Sequence, residues 1–99
     1  MSEPEVRTFT ASDGIRLAWR EIGSGWPLLL IHGFISDAVT NWISYGTAAR
    51  LAAAGFRCIM PDLRAHGESA KPHDQAYYPP DILASDQFAL LEHLGIVDF

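Results

Sequence analysis

The sequence predicts an α/β fold: an antiparallel hairpin first, then parallel strands joined by crossover helices. Three observations carry the prediction. An Asp13-Gly14 turn signal separates two β-rich stretches, residues 28–31 form an unbroken apolar run, and an Ala/Leu-rich helical stretch separates that run from a second apolar strand.

Residues 6–10 and 15–22 are the β-rich stretches, and Ala11-Ser12-Asp13-Gly14 between them favours a tight turn, so the pair reads as a hairpin. Leu28, Leu29, Leu30 and Ile31 show no alternation, the pattern of a short central strand covered on both faces, with Pro27 opening it where a missing N–H is tolerated. Residues 47–54 read as a helix that stops at Gly55, a C-terminal cap, and residues 56–60 as a second buried strand. The segment from Pro61 to Pro80 runs about 20 residues without regular structure, longer than ordinary connections, and such loops carry or support sites. Residues 81–94 have helical spacing, with Ala84, Phe88 and Leu91 on one stripe joined by Leu90 and Leu94, and Gly95 ends the helix. Residues 96–99 then read as the start of another strand.

Composition narrows the function. With 99 residues, 48% hydrophobic and 19% charged, the chain is one globular unit or a piece of one. Its net charge of −5 and its scattered Lys and Arg argue against nucleic-acid binding, which needs basic groups in a row along successive phosphates. The start, MSEPEVRTFT, carries acid where a secretory signal needs positive charge, and no apolar run approaches the roughly 20 residues that span a bilayer. A cytoplasmic protein with no membrane partner is the expectation. Cys58, the only cysteine, lies in FRCIM and reads as a small buried core residue.

Two motifs stand at the ends of the parallel strands: His32-Gly33-Phe34, and Asp62-Leu63-Arg64-Ala65-His66-Gly67-Glu68-Ser69. Together with Asn41-Trp42 and a helix ending in Leu-Gly-Ile, their order resembles the N-terminal part of the α/β-hydrolase superfamily, over essentially the whole chain. The resemblance implies that residues 1–99 are the N-terminal part of a single α/β-hydrolase domain whose remainder is absent. One departure is Ala65, where the family commonly has glycine.

In such folds the loop after the third strand supplies one backbone N–H of the oxyanion hole, so the resemblance assigns that donor to Phe34, with Gly33 allowing the sharp turn. Histidine suggests a general base, but the family's catalytic histidine lies near the C-terminus, so His32 is expected to brace the loop by hydrogen bonds. Asp62, Arg64, His66 and Ser69 are expected to form a polar network supporting the long loop; one buried cysteine and four scattered histidines make a poor metal site, and no cofactor is implied. Trp42, Tyr77 and Tyr78 are candidate pocket residues, although aromatics beside helix starts more often pack.

No Gly-x-Ser-x-Gly occurs, and none of Ser2, Ser12, Ser24, Ser36, Ser44, Ser69 and Ser85 has the strand-to-helix elbow of a nucleophile. The resemblance places nucleophile, acid and histidine after residue 99, so the chain reads as truncated and, alone, inactive. The intact protein is expected to be a serine esterase or lactonase acting on small carboxylic esters. Ile35 stands where epoxide hydrolases and haloalkane dehalogenases of the superfamily have proline, which argues against an aspartate nucleophile. The alternative is a non-catalytic ligand-binding or degenerate protein of the same fold. The implied strand order, 1-2-4-3-5, leaves the strand from Leu28 to Ile31 as an open edge, whose expected partner is the rest of the hydrolase or a second copy.

Overall fold

A computed structural model of the chain describes residues 3–99; Met1 and Ser2, one of the serines without an elbow, lie outside the described residues. The hairpin forms as its turn chemistry dictates. Strand β1 (Arg7–Thr10) pairs antiparallel with β2 (Arg16–Ile22), and Gly14, at φ +86°, donates its N–H to Ala11 O at 2.9 Å to close the turn. Strand β3 is Trp26–Leu29, two residues earlier than expected. It pairs parallel with β4 (Phe56–Pro61), Trp26 opposite Phe56 and Leu29 opposite Ile59, and Leu30 adds one more bond to Ile59 O. Ile31, expected within the strand, has left the sheet and is exposed.

The four strands lie in the order β1-β2-β4-β3. This is the order the resemblance implies for them. Within the described residues, however, the inner strands are β2 and β4, and β4 is flanked by β2 on its antiparallel side and β3 on its parallel side. Strand β3 is an edge, and its leucines are half-buried where full cover was expected. Pro27 sits comfortably there, because an edge strand needs no ladder bond on its outer side.

Between β3 and β4 the chain makes a π-helical turn, Val39–Ile43, that local patterning does not predict, and then helix α1 (Thr47–Ala53). Gly55, left-handed at φ +99°, follows the helix cap as expected. Helix α2 (Ile82–His93) ends the same way at Gly95.

Alternation along β4 divides the core in two. Ile59 faces Phe9, Leu17, Trp19 and Leu90, the α2 side; Cys58 and Met60 face Ala38 and Ala48, the α1 side. The Cys58 thiol is fully buried against Ala48 O, and burial pushes its pKa up, as befits a core residue.

The inward face of α2 differs from the predicted stripe. Phe88 is 67% exposed and Ala84 is exposed, while Asp86, Gln87, Leu90 and Leu91 are buried. The helix is rotated because Asp86 turns inward to meet Arg64, and a buried carboxylate with a bidentate partner overrides an apolar count. Residues 96–99 form no strand.

Candidate functional site

The loops following β3 and β4 meet at the C-terminal ends of the parallel pair, the position where open α/β sheets bind ligands. A cleft of about 600 Å³ opens there, lined by Phe34, Ala65, His66, Tyr78, Pro79 and Ile82 among others.

A buried polar network holds these loops together. The Asp62 carboxylate, 4% exposed, accepts the N–H of Ala38 on one oxygen and of Glu68 on the other, each at 2.9 Å. It thereby ties the start of the π-helical turn to the second loop. Ser69 donates its hydroxyl to Asp62 O at 2.6 Å and accepts the N–H of Ala18 at 2.9 Å, which anchors that loop to β2. Gly67, at φ +49°, leaves no room for a side chain, since a Cβ there would overlap the Asp62 carboxylate.

Arg64 closes the back wall with its guanidinium fully buried. Nε and Nη2 grip Asp86 at 3.0 and 2.8 Å, Nη1 and Nη2 grip Asp13 at 2.6 and 3.2 Å, and Nη1 also donates to Tyr77 O at 2.7 Å. All five donors are engaged, so none remains for a ligand anion. The hydrogen bond from Arg64 draws the pKa of Asp13 below its usual value. Burial pushes Asp86 the other way, above the usual value, although Arg64 opposes it. In the sequence Asp13 reads only as a turn residue, and Asp86 does not stand out; the available signal is an acid at an otherwise apolar helix position, which must find a partner.

The His32-Gly33-Phe34 turn brings Phe34 to the cleft. His32 is 4% exposed; its Nε2 accepts the Leu63 N–H at 2.9 Å and its Nδ1 lies 2.7 Å from Gly33 O. Gly33 donates its N–H to Asn41 Oδ1 at 2.7 Å, and Ile35 donates to His66 Nε2 at 3.3 Å. Between these two engaged amides, the N–H of Phe34 has no acceptor among the described residues. Asn41, which the sequence marks only as part of the family pattern, thus gains a role. Asp37 accepts the Thr40 N–H at 2.7 Å, a bond that lowers the Asp37 pKa and steadies the turn carrying Asn41.

One expectation about backbone shape needs correction. Gly33 is not the residue that turns: a Cβ built there would meet only Asn41 Oδ1, at 3.8 Å, and the left-handed residue is Ile35 at φ +55°. Ala65, where the resemblance has glycine, is itself left-handed at φ +70°. Trp42 does not line the cleft; it packs beside Ala48 and Met60 under α1. Tyr78 does line it, and its hydroxyl donates to Pro72 O at 2.7 Å.

A family-wide sequence profile described as alpha/beta hydrolase fold matches residues 27–99. The bifunctional epoxide hydrolase 2 of Mus musculus is 36% identical over 88 residues, which cover 88% of this chain and 15% of that protein. The non-heme haloperoxidase of Rhodococcus erythropolis is 36% identical over 92 residues, covering 90% of this chain and 31% of its own. Among solved structures, a mutant epoxide hydrolase of Vigna radiata superposes with a TM-score of 0.83 at 31% identity, over 97% of this chain and 29% of that one. The chain thus spans less than a third of the length of each of these relatives. A profile match over residues 27–99, with relatives of this identity and coverage, means that the chain belongs to the alpha/beta hydrolase fold family.

Proposed function

We propose that the intact protein is a serine hydrolase of small carboxylic esters or lactones, to which this segment contributes the Phe34 N–H as one of two oxyanion donors. The observation that carries the reading is the unengaged Phe34 amide between two amides already held by Asn41 and His66, at the mouth of the cleft. A fixed donor with no partner in the ground state is suited to stabilising charge that develops on a substrate oxygen, an effect of about 3 kcal/mol. Nucleophile, acid and base belong to other segments of the protein, and residues 1–99 alone are inactive. Among the described residues no helix is long and apolar enough to cross a membrane.

Replacing the Phe34 backbone amide by an ester in the intact protein removes only the N–H. The expected result is a fall in kcat of about a hundredfold or more, with a smaller change in KM. Unchanged kcat rejects the oxyanion role.

Epoxide hydrolysis is the second reading, favoured by the mouse and Vigna radiata relatives. The backbone at residue 35 favours the ester reading: proline is locked near φ −65°, so a turn with φ +55° there is not the one that HG-x-Pro makes. A fluorophosphonate probe separates them, since it labels a serine nucleophile and leaves an aspartate untouched. The open edge of β3, Trp26–Leu29 where Leu28 to Ile31 was expected, supports a pairing partner there, and we assign that place to another segment of the same hydrolase. In the intact protein the outward-facing amides of this strand should exchange slowly; fast exchange would leave the edge free.

A further inference from the structure

Two histidines tie the loops of the cleft together in the same way. His32 joins its own loop's carbonyl, Gly33 O, to the other loop's amide, Leu63 N–H; His66 joins its own loop's carbonyl, Arg64 O at 2.9 Å, to the first loop's amide, Ile35 N–H. A ring nitrogen that accepts from an amide carries no proton, and one that faces a carbonyl carries one. Both rings are therefore the Nδ1–H tautomer, and they stand 5.1 Å apart, centre to centre. The two bonds run in opposite directions across the cleft and form a reciprocal clasp.

The His66 half bears on an unusual piece of backbone. Ile35 is β-branched, 82% exposed and left-handed, a conformation that costs such a residue about 1–2 kcal/mol. Its exposed side chain has little packing to hold it there. The hydrogen bond from its N–H to His66 Nε2 is the polar contact that opposes relaxation to negative φ. The peptide unit that supplies that N–H begins at the carbonyl of Phe34, so a relaxation at Ile35 turns the residue that lines the cleft and whose own amide has no acceptor among the described residues.

We propose that His66 is a positioning residue for the Phe34 amide, acting through Ile35, while Asn41 holds the other flank through Gly33. The inference rests on the oxyanion reading of Phe34. In the reaction His66 exchanges no proton and touches no substrate: its ring holds the turn in the one shape that aims the Phe34 N–H.

The test uses the intact, isotopically labelled protein. A through-hydrogen-bond coupling between the Ile35 amide nitrogen and His66 Nε2 is expected, and its absence overturns the proposal. His66→Leu keeps the bulk and removes the acceptor, and should lower kcat about tenfold with KM nearly unchanged, whereas His66→Gln, whose side-chain oxygen can accept the same N–H, should restore most of the rate. Equal loss in both variants, or full kcat in His66→Leu, overturns the proposal. The Phe34 ester variant keeps the two ideas apart: full kcat there rejects the oxyanion reading and the positioning role with it. A damaged Phe34 ester variant beside an undamaged His66→Leu rejects the positioning role alone.

Discussion

Gly67→Ala should be far more damaging than its single added methyl suggests. At φ +49° the alanine would hold a left-handed backbone, at a cost of about 1–2 kcal/mol, partly offset by the stiffer unfolded chain. Steric overlap costs more. The new Cβ would lie 2.7 Å from Asp62 Oδ1 and nearer still to the carboxyl carbon and Oδ2, so the carboxylate must retreat by roughly 1 Å to reach normal contact. It has nowhere to go without releasing the N–H of Ala38 or of Glu68, both now held at 2.9 Å. Ala38 is fully buried, and stranding its N–H costs about 1–3 kcal/mol. The sum is about 3 kcal/mol, or some two decades in an equilibrium constant. Denaturant unfolding of the intact protein should show that loss, and hydrogen exchange at the Ala38 amide should accelerate by about a hundredfold. The decisive comparison repeats Gly67→Ala in an Asp62→Ala background, where only the backbone cost of about 1 kcal/mol should remain. If the two substitutions add without coupling, or Ala38 stays protected in Gly67→Ala, the Asp62 carboxylate is not what holds the two loops together.

Three other outcomes follow from the same geometry. Arg64→Lys should destabilise by about 3–5 kcal/mol in denaturant titrations, because an ammonium cannot grip Asp86 and Asp13 bidentately and leaves the buried Asp86 carboxylate short of partners. Ala65→Gly should be neutral or stabilising by up to about 1 kcal/mol, since glycine is at ease at φ +70°, while Ala52→Gly inside α1 should cost about 1 kcal/mol in the same assay. Acid should weaken the fold chiefly through Asp13, Asp37 and Glu21. The Arg64 bond lowers the pKa of Asp13 and the Thr40 N–H that of Asp37, both from 3.8; burial raises that of Glu21, but Arg57 and Trp19 outweigh it and bring it below 4.5. Their stabilisation is complete above those values and is lost as the pH falls through the lower folded values, while Asp86, raised by burial, works in the opposite sense. Unfolding midpoints measured from pH 7 to 2 should decline below about pH 4.5, and Asp13→Asn should flatten that decline.

What the sequence determined by itself was whatever depends on a few neighbouring residues. Asp13-Gly14 specifies a hairpin turn, Gly55 and Gly95 specify helix ends, and the apolar stretches around Leu28 and Ile59 specify two strands, because turn geometry and side-chain patterning act within one segment. The two motifs after β3 and β4 carried the family. Tertiary structure alone decided the rest. Arg64 finds Asp13 across 51 residues of chain and Asp86 across 22, and that meeting rotates α2 so that an acid goes in and Phe88 comes out, against the apolar stripe of the helix itself. The turn at the cleft takes its left-handed residue at Ile35 and not at Gly33, where the amides on either side of Phe34 are held by Asn41, from further along the same connection, and by His66, from the loop after β4. A buried charge must be paired and a buried amide must be accepted, but which residue meets that demand is settled only when separate segments pack against one sheet.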